Sequence, residues 1–167
     1  MTLQSLSDAE LREALLLKER LEVLKNQETC QEGFMDFIEH IWPEFICGRH
    51  HKIFAQKLED IATGKINRLI VNMPPRHTKS EFASTYFPAW VMGKYPNKKI
   101  MQTTHTGELA VRFGRKVRNL MDTEEYSAIF PQVNLSADSK SAGRWETNKG
   151  GEYFAAGVGG AITGRGA

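Results

Sequence analysis

The chain has 167 residues, with 41% hydrophobic and 25% charged side chains and a formal net charge of +2. That is enough for one α/β domain with a real core and too little for two large ones. A mean hydropathy of -0.42, with no apolar run near the ~20 residues of a membrane helix and no apolar leader behind a basic start, argues against a membrane or secreted class. The expected location is the cytoplasm, with no membrane partner. The mild basicity is far from the footprint of an obligate nucleic-acid binder.

In chain order, Ser7 and Glu10 fit a capping box and predict a helix over 8–25, with Leu11, Leu15, Leu16, Leu21 and Leu24 on an apolar face that suits a contact arm. Residues 26–28 read as its exit. A second helix is expected over 31–40, with Phe34, Phe37, Ile38 and Ile41 inward, ending before Pro43. A third covers 50–63, with Ile53, Phe54, Leu58 and Ile61 inward and Gly64 just past its end. Cys30 and Cys47 are far apart and outside any C-x-x-C pair, so two small buried thiols are expected, without zinc or disulfide.

Residues 68–80, RLIVNMPPRHTKS, organise the reading of the rest. An apolar run, Leu69-Ile70-Val71, predicts a strand over 68–73; a loop with Pro74 and Pro75 follows; Lys79-Ser80 then heads a helical segment. Strand, loop, Lys-Ser, helix is the order of a phosphate-binding P-loop, in which backbone N–H groups wrap phosphate oxygens, lysine reaches the outer phosphates and the hydroxyl ligates magnesium. The match is to a deviant form, since the loop holds no glycine and Thr78 precedes the lysine where a glycine is usual. Lysine at a helix N-terminus is disfavoured by the helix dipole unless an anion binds there, which is the main physical argument for phosphate. The bland alternative is that Lys79-Ser80 only begins a helix. Arg76 is a second cation of the loop, suited to phosphate or to charge developing on a γ-phosphate. His77 and His105 read as hydrogen-bonded loop histidines rather than metal ligands.

Residues 79–95 predict a helix kinked or broken at Pro88. A short strand follows at 99–103, then a helix over 106–121 whose run RFGRKVR, residues 112–118, is either a phosphate-backbone stripe or a solvated face. Gln102 and the exit 103–106 either touch phosphate or simply end the strand. Strand, helix, strand, helix predicts parallel βαβ units with the ligand at the carboxyl ends of the strands. A short helix over 122–130, an irregular loop over 131–142, a hairpin of 144–147 with 152–156 and a glycine-rich tail complete the reading. The tail reads better as a strand and tight loop than as a linker. None of the acids after Lys79 (Glu81, Glu108, Asp122, Glu124, Glu125, Asp138, Glu146, Glu152) follows a run of four apolar residues, as a magnesium-holding carboxylate should. The expectation is therefore the N-terminal piece of a longer ATPase, able to bind nucleotide without efficient hydrolysis.

The segments Gly64-Lys65, RLIVNMPPRHTKSEFAS, FPAWVMGKYPNKKIMQTTHT, ELAVRFGRKVRNLM, the Ile129-Phe130-Pro131 turn and GGEYFAAGVGGAITGRGA together resemble the large subunit of the DNA-packaging terminase of tailed bacteriophages. The resemblance runs from about His50 to Ala167. It implies an ATPase of the additional-strand P-loop class that drives double-stranded DNA into a procapsid, with ATP and Mg2+ as cofactors. It also implies the portal and the small terminase subunit as partners, a homo-oligomer on the portal, and the cytoplasm of an infected bacterium as location. The implied organisation is an N-terminal helical extension, 1–64, and a partial P-loop core with a parallel sheet, 65–167, stopping before the Walker B strand. Pro74, Pro75, Arg76, His77, Thr78, Lys79 and Ser80 would form the nucleotide loop. Lys79 and Arg76 would take catalytic roles, Ser80 would ligate the metal, and His51 and Gln56 would contact adenine. The alternatives are a helicase-like P-loop translocase, or a non-catalytic nucleic-acid or partner-binding module retaining a relic loop.

Overall fold

The computed structural model describes residues 7–137 and 141–159. Its first helix, α1 (Asp8–Glu32), opens on the expected capping box: the Ser7 N–H donates to the Glu10 carboxylate at 2.7 Å and the Glu10 N–H donates back to Ser7 Oγ. The helix does not leave at 26–28. The Gln27 amide donates to the Ile129 carbonyl and the Asn26 amide meets His40 Nδ1, so polar residues that read as an exit serve tertiary bonds; Gln31, read as the start of the second helix, is the next-to-last residue of this one and donates to the same carbonyl. Gly33 ends the helix instead, seven residues later than the reading placed it. The leucine face of its first half is uncovered among the described residues, with Leu15, Leu16, Leu17, Leu21 and Leu24 all exposed.

Helix α2 (Phe34–Ile41) buries Phe34, Phe37 and Ile38 as its spacing requires. Helix α3 (Arg49–Ala62) buries His51, Phe54, Ala55 and Leu58, an i, i+3, i+4, i+7 stripe. Phe54 and Leu58 are inward as read, whereas Ile53 falls off that stripe and is exposed and Ile61 is only half-buried; His51 and Ala55 complete the buried face.

Residues 68–73 form no strand. They carry alternating burial, with Leu69, Val71 and Met73 packed on the core and Ile70 88% exposed, yet no ladder partner exists for them among the described residues. An apolar run signals burial, whereas a strand also needs a neighbour for its N–H and C=O groups.

From Lys79 to Lys94 the chain is continuously helical: α4 (Lys79–Glu81), a π-helical turn (Phe82–Tyr86) and α5 (Phe87–Lys94). The expected kink at Pro88 is replaced by this wide turn. Proline lacks the N–H for an i to i−4 bond and its ring crowds the carbonyl there; opening the preceding turn to i+5 spacing, with Phe87 N–H donating to the Phe82 carbonyl, accommodates both without a break.

Strand β1 (Lys99–Thr104) leads to helix α6 (Gly107–Met121), capped by Thr106 Oγ1, and then to α7 (Glu124–Ile129), capped by Thr123 Oγ1. Strands β2 (Arg144–Glu146) and β3 (Glu152–Gly157) make the expected antiparallel hairpin, and β3 lies parallel to β1 with Lys99 opposite Glu152 and Thr104 opposite Gly157. The fold is mixed α/β around a three-stranded mixed sheet of order β1-β3-β2. The parallel pair is thus β1 with β3, not 68–73 with 99–103. Helix α6 packs on both strands. Trp145 and Tyr153 stack at 4.9 Å beneath it, and Trp145 Nε1–H donates to the Gly114 carbonyl.

One hydrophobic cluster joins the N-terminal helices to the rest. Phe34 is its hub, fully buried among the rings of Phe37, Phe82, Phe87 and Trp90. Of the two cysteines, Cys30 is buried and Cys47 is half-exposed, and both are free.

Candidate functional site

The loop ahead of α4 is built on an alternation of backbone handedness. Arg76 (φ 63) and Thr78 (φ 57) are left-handed, and they are the only non-glycine residues of positive φ among those described, so Pro75 and His77 on either side are not. Alternating the sign of φ turns successive N–H groups toward one side and makes a nest, the concavity that holds anions in phosphate loops. Glycine usually occupies such positions, because a side chain there costs roughly 1–2 kcal/mol. Here an arginine and a β-branched threonine adopt them.

Pro74, Pro75, Arg76, His77, Thr78, Lys79, Ser80 and Glu81 line a shallow cleft of about 450 Å³. The expected loop residues are therefore gathered in one place. Arg76, His77 and Ser80 are exposed, and Lys79 is half-buried with its Nζ folded inward to donate to the Met73 carbonyl at 3.1 Å. His77 Nδ1 lies 2.9 Å from the Pro75 carbonyl, the ordinary hydrogen bond of a loop histidine. Glu81 pairs with Lys116 of α6 at 2.6 Å, which ties the head of the helical run to the helix over the sheet.

His51 reaches the loop from α3. It is 6% exposed, its Nδ1 accepts from the Gly48 N–H at 2.9 Å, and its Nε2 sits 2.8 Å from Thr78 Oγ1. Burial holds its pKa below the ordinary imidazole value, and the neighbouring His50 and His77 push it the same way. Gln56 is not brought to the cleft; it is exposed farther along α3, beside Glu59. No local pattern signals the His51–Thr78 contact, which joins residues 27 positions apart, or the Glu81–Lys116 pair.

The residues present fit a phosphate: a nest of N–H groups, a helical run whose positive end faces the cleft, and Lys79, Arg76 and Ser80 around it. Among the described residues no group of three or more His, Cys, Asp or Glu side chains is placed to hold a metal ion. The Ser80 hydroxyl, phosphate oxygens and water are the oxygen donors that magnesium accepts.

Comparison with family models, curated proteins and solved structures returns no match for this chain. Among the described residues no helix is long and apolar enough to cross a membrane. Helix α6 exposes Arg112 and Arg115 to solvent, while Lys116 is engaged with Glu81.

Proposed function

We propose that residues 74–80 bind ATP with magnesium, and that this chain is the nucleotide-binding portion of a DNA-packaging terminase motor, which couples ATP hydrolysis to movement of double-stranded DNA into a procapsid. The observation that carries the phosphate reading is the pair of left-handed residues, Arg76 and Thr78, immediately before a lysine that heads a helical run. A loop that only began a helix would gain nothing from two strained side chains or from a cation at its positive end. The terminase reading rests on the resemblance of the segments quoted above, and with it come the portal, the small subunit and self-assembly on the portal.

In this reading Lys79 leaves the Met73 carbonyl for the outer phosphates, the loop N–H groups take the phosphate oxygens, and Arg76 sits where charge develops during phosphoryl transfer. Magnesium, when bound through Ser80, neutralises charge on the β- and γ-phosphate oxygens. Glu81 is the one carboxylate lining the cleft among the described residues, and it is paired with Lys116 at 2.6 Å. Binding without efficient turnover is the expected behaviour of these residues.

Calorimetric titration with ATP and magnesium tests the reading. Saturable binding lost in Lys79→Ala supports it; absence of heat and of any thermal shift would overturn it in favour of a module with a relic loop. Phosphate release that is fast and abolished by Lys79→Ala would contradict the expectation of slow turnover.

A further inference from the structure

The bonds around His51 run in one direction only. Its Nδ1 faces the Gly48 N–H at 2.9 Å, so that nitrogen is the acceptor and carries no proton. The neutral ring then has its proton on Nε2, which donates to Thr78 Oγ1 at 2.8 Å, and the Thr78 hydroxyl in turn donates to the His77 carbonyl at 2.7 Å. Each donor has an acceptor and each proton one place to go. The reversed tautomer would set two N–H groups against each other at Gly48, and the Thr78 hydroxyl would have to turn its proton from the His77 carbonyl to the bare Nε2. The ring is also held sterically, in edge contact with Phe45 at 4.7 Å and stacked on Phe82 at 5.4 Å. The titratable groups facing it are His50, at 3.8 Å between ring centroids, and His77.

We infer that His51 is a positioning residue for the phosphate loop: fixed as the Nε2–H tautomer by Gly48, it holds Thr78 in the left-handed conformation that turns the loop N–H groups into the cleft. This assigns the ring to the loop's shape rather than to a base. Thr78 is the residue whose conformation most needs support, since a β-branched side chain at positive φ is strained and glycine is absent. His51 stands at the start of α3, wedged against the first residue of the π-helical turn, so it references the loop to the two helices that flank it. The inference rests on the phosphate reading for its consequence, though not for its geometry.

Two measurements separate the two claims. Long-range proton–nitrogen correlation on the imidazoles of the unligated wild type reads the tautomer directly, and the amide-to-Hα coupling of Thr78 reads its φ. Titration with ADP and magnesium reads affinity in the wild type, Thr78→Val and Thr78→Ser. The expected results are the Nε2–H tautomer, a left-handed coupling at Thr78, affinity lowered about tenfold in Thr78→Val, and affinity restored to within about twofold in Thr78→Ser. Tenfold corresponds to a loop that keeps its binding shape about a tenth of the time once released. A wild type that binds no ADP, with tautomer and coupling as expected and the coupling lost in Thr78→Val, overturns the phosphate reading and supports the positioning role. A charged or Nδ1–H imidazole at neutral pH overturns the positioning role whatever the affinities, and so does a Thr78→Val variant with wild-type coupling and binding. The tautomer measurement needs only the wild type, so it decides even where a variant fails to fold.

Discussion

Replacing Arg76 with glycine separates what the loop costs from what it does. Arg76 is exposed and left-handed at φ 63. Removing its Cβ releases roughly 1–2 kcal/mol of backbone strain. Glycine also loosens the unfolded chain, which costs back about 0.4–1 kcal/mol. The net is a fold unchanged or up to about 1.5 kcal/mol more stable. Affinity for ATP should move the other way, because a charge-assisted hydrogen bond of about 1.5–3 kcal/mol is lost, equivalent to roughly 10–150-fold in Kd. Urea unfolding gives the first quantity and calorimetry with ATP and magnesium the second. A variant that unfolds more easily than the wild type, or binds within twofold of it, would refute the reasoning that strain at Arg76 is retained for the phosphate.

Phe34→Ala removes the ring at the centre of four others and should cost about 3–5 kcal/mol, enough to unfold a marginal domain; Phe34→Leu should retain a cooperative urea transition. Gly157→Ala would place a methyl carbon 2.4 Å from the Gly107 backbone nitrogen, where no side chain can give way, and should cost about 1–3 kcal/mol with faster amide exchange at the start of α6. Stability should vary with pH at both ends. His51 has its pKa lowered by folding, so the unfolded chain takes up a proton first, and stability present above about 6.5 is lost as pH falls below that value. Tyr126 and Tyr153 are raised by burial, so stability present below about 10 is lost as pH rises past it, where the unfolded phenols ionise first. Chemical unfolding across pH would show a plateau between the limbs, and in His51→Gln the acid limb would begin only in the carboxylate range, where Glu10 and Asp60, lowered by folding, still contribute.

Local signals in the sequence carried the elements whose causes are local. The Ser7 box, the α2 face, the α6 helix and the hairpin turn at Gly150 (φ 81) were all readable, because each depends on neighbours within a few positions. The misreadings share the opposite cause. Asn26 and Gln27 are polar in composition and helical in fact, since their partners lie on α2 and at Ile129. The apolar run at 69–71 reported burial but could not report the missing ladder. Pairing of β1 with β3 joins strands separated by two helices, a loop and β2, and no periodicity encodes that. At the loop, the spacing of Lys79 and Ser80 identified the place, while the left-handed residues and the His51 anchor emerge only from the folded backbone.

The π-helical turn of Phe82–Tyr86 sets a phase relation between the two ends of its helical run. Each residue rotates an α-helix by about 100° and a turn of i+5 spacing by less, so the segment offsets whatever follows it by about a quarter of a revolution from ordinary winding of the same residues. Lys79 and Ser80 at one end are thereby aimed at the cleft while Trp90 and Met92 at the other are aimed at the core, an orientation that uniform winding over the same length would not deliver. Deleting one residue between 82 and 86 would let ordinary winding resume with both ends near their present phase, because one residue fewer of α-helix turns about as far as the wider turn does. Closing the turn to ordinary winding at its full length is what would swing the lysine and the serine away from the nest, so the wide turn, rather than the length of the segment, is a specification of the site.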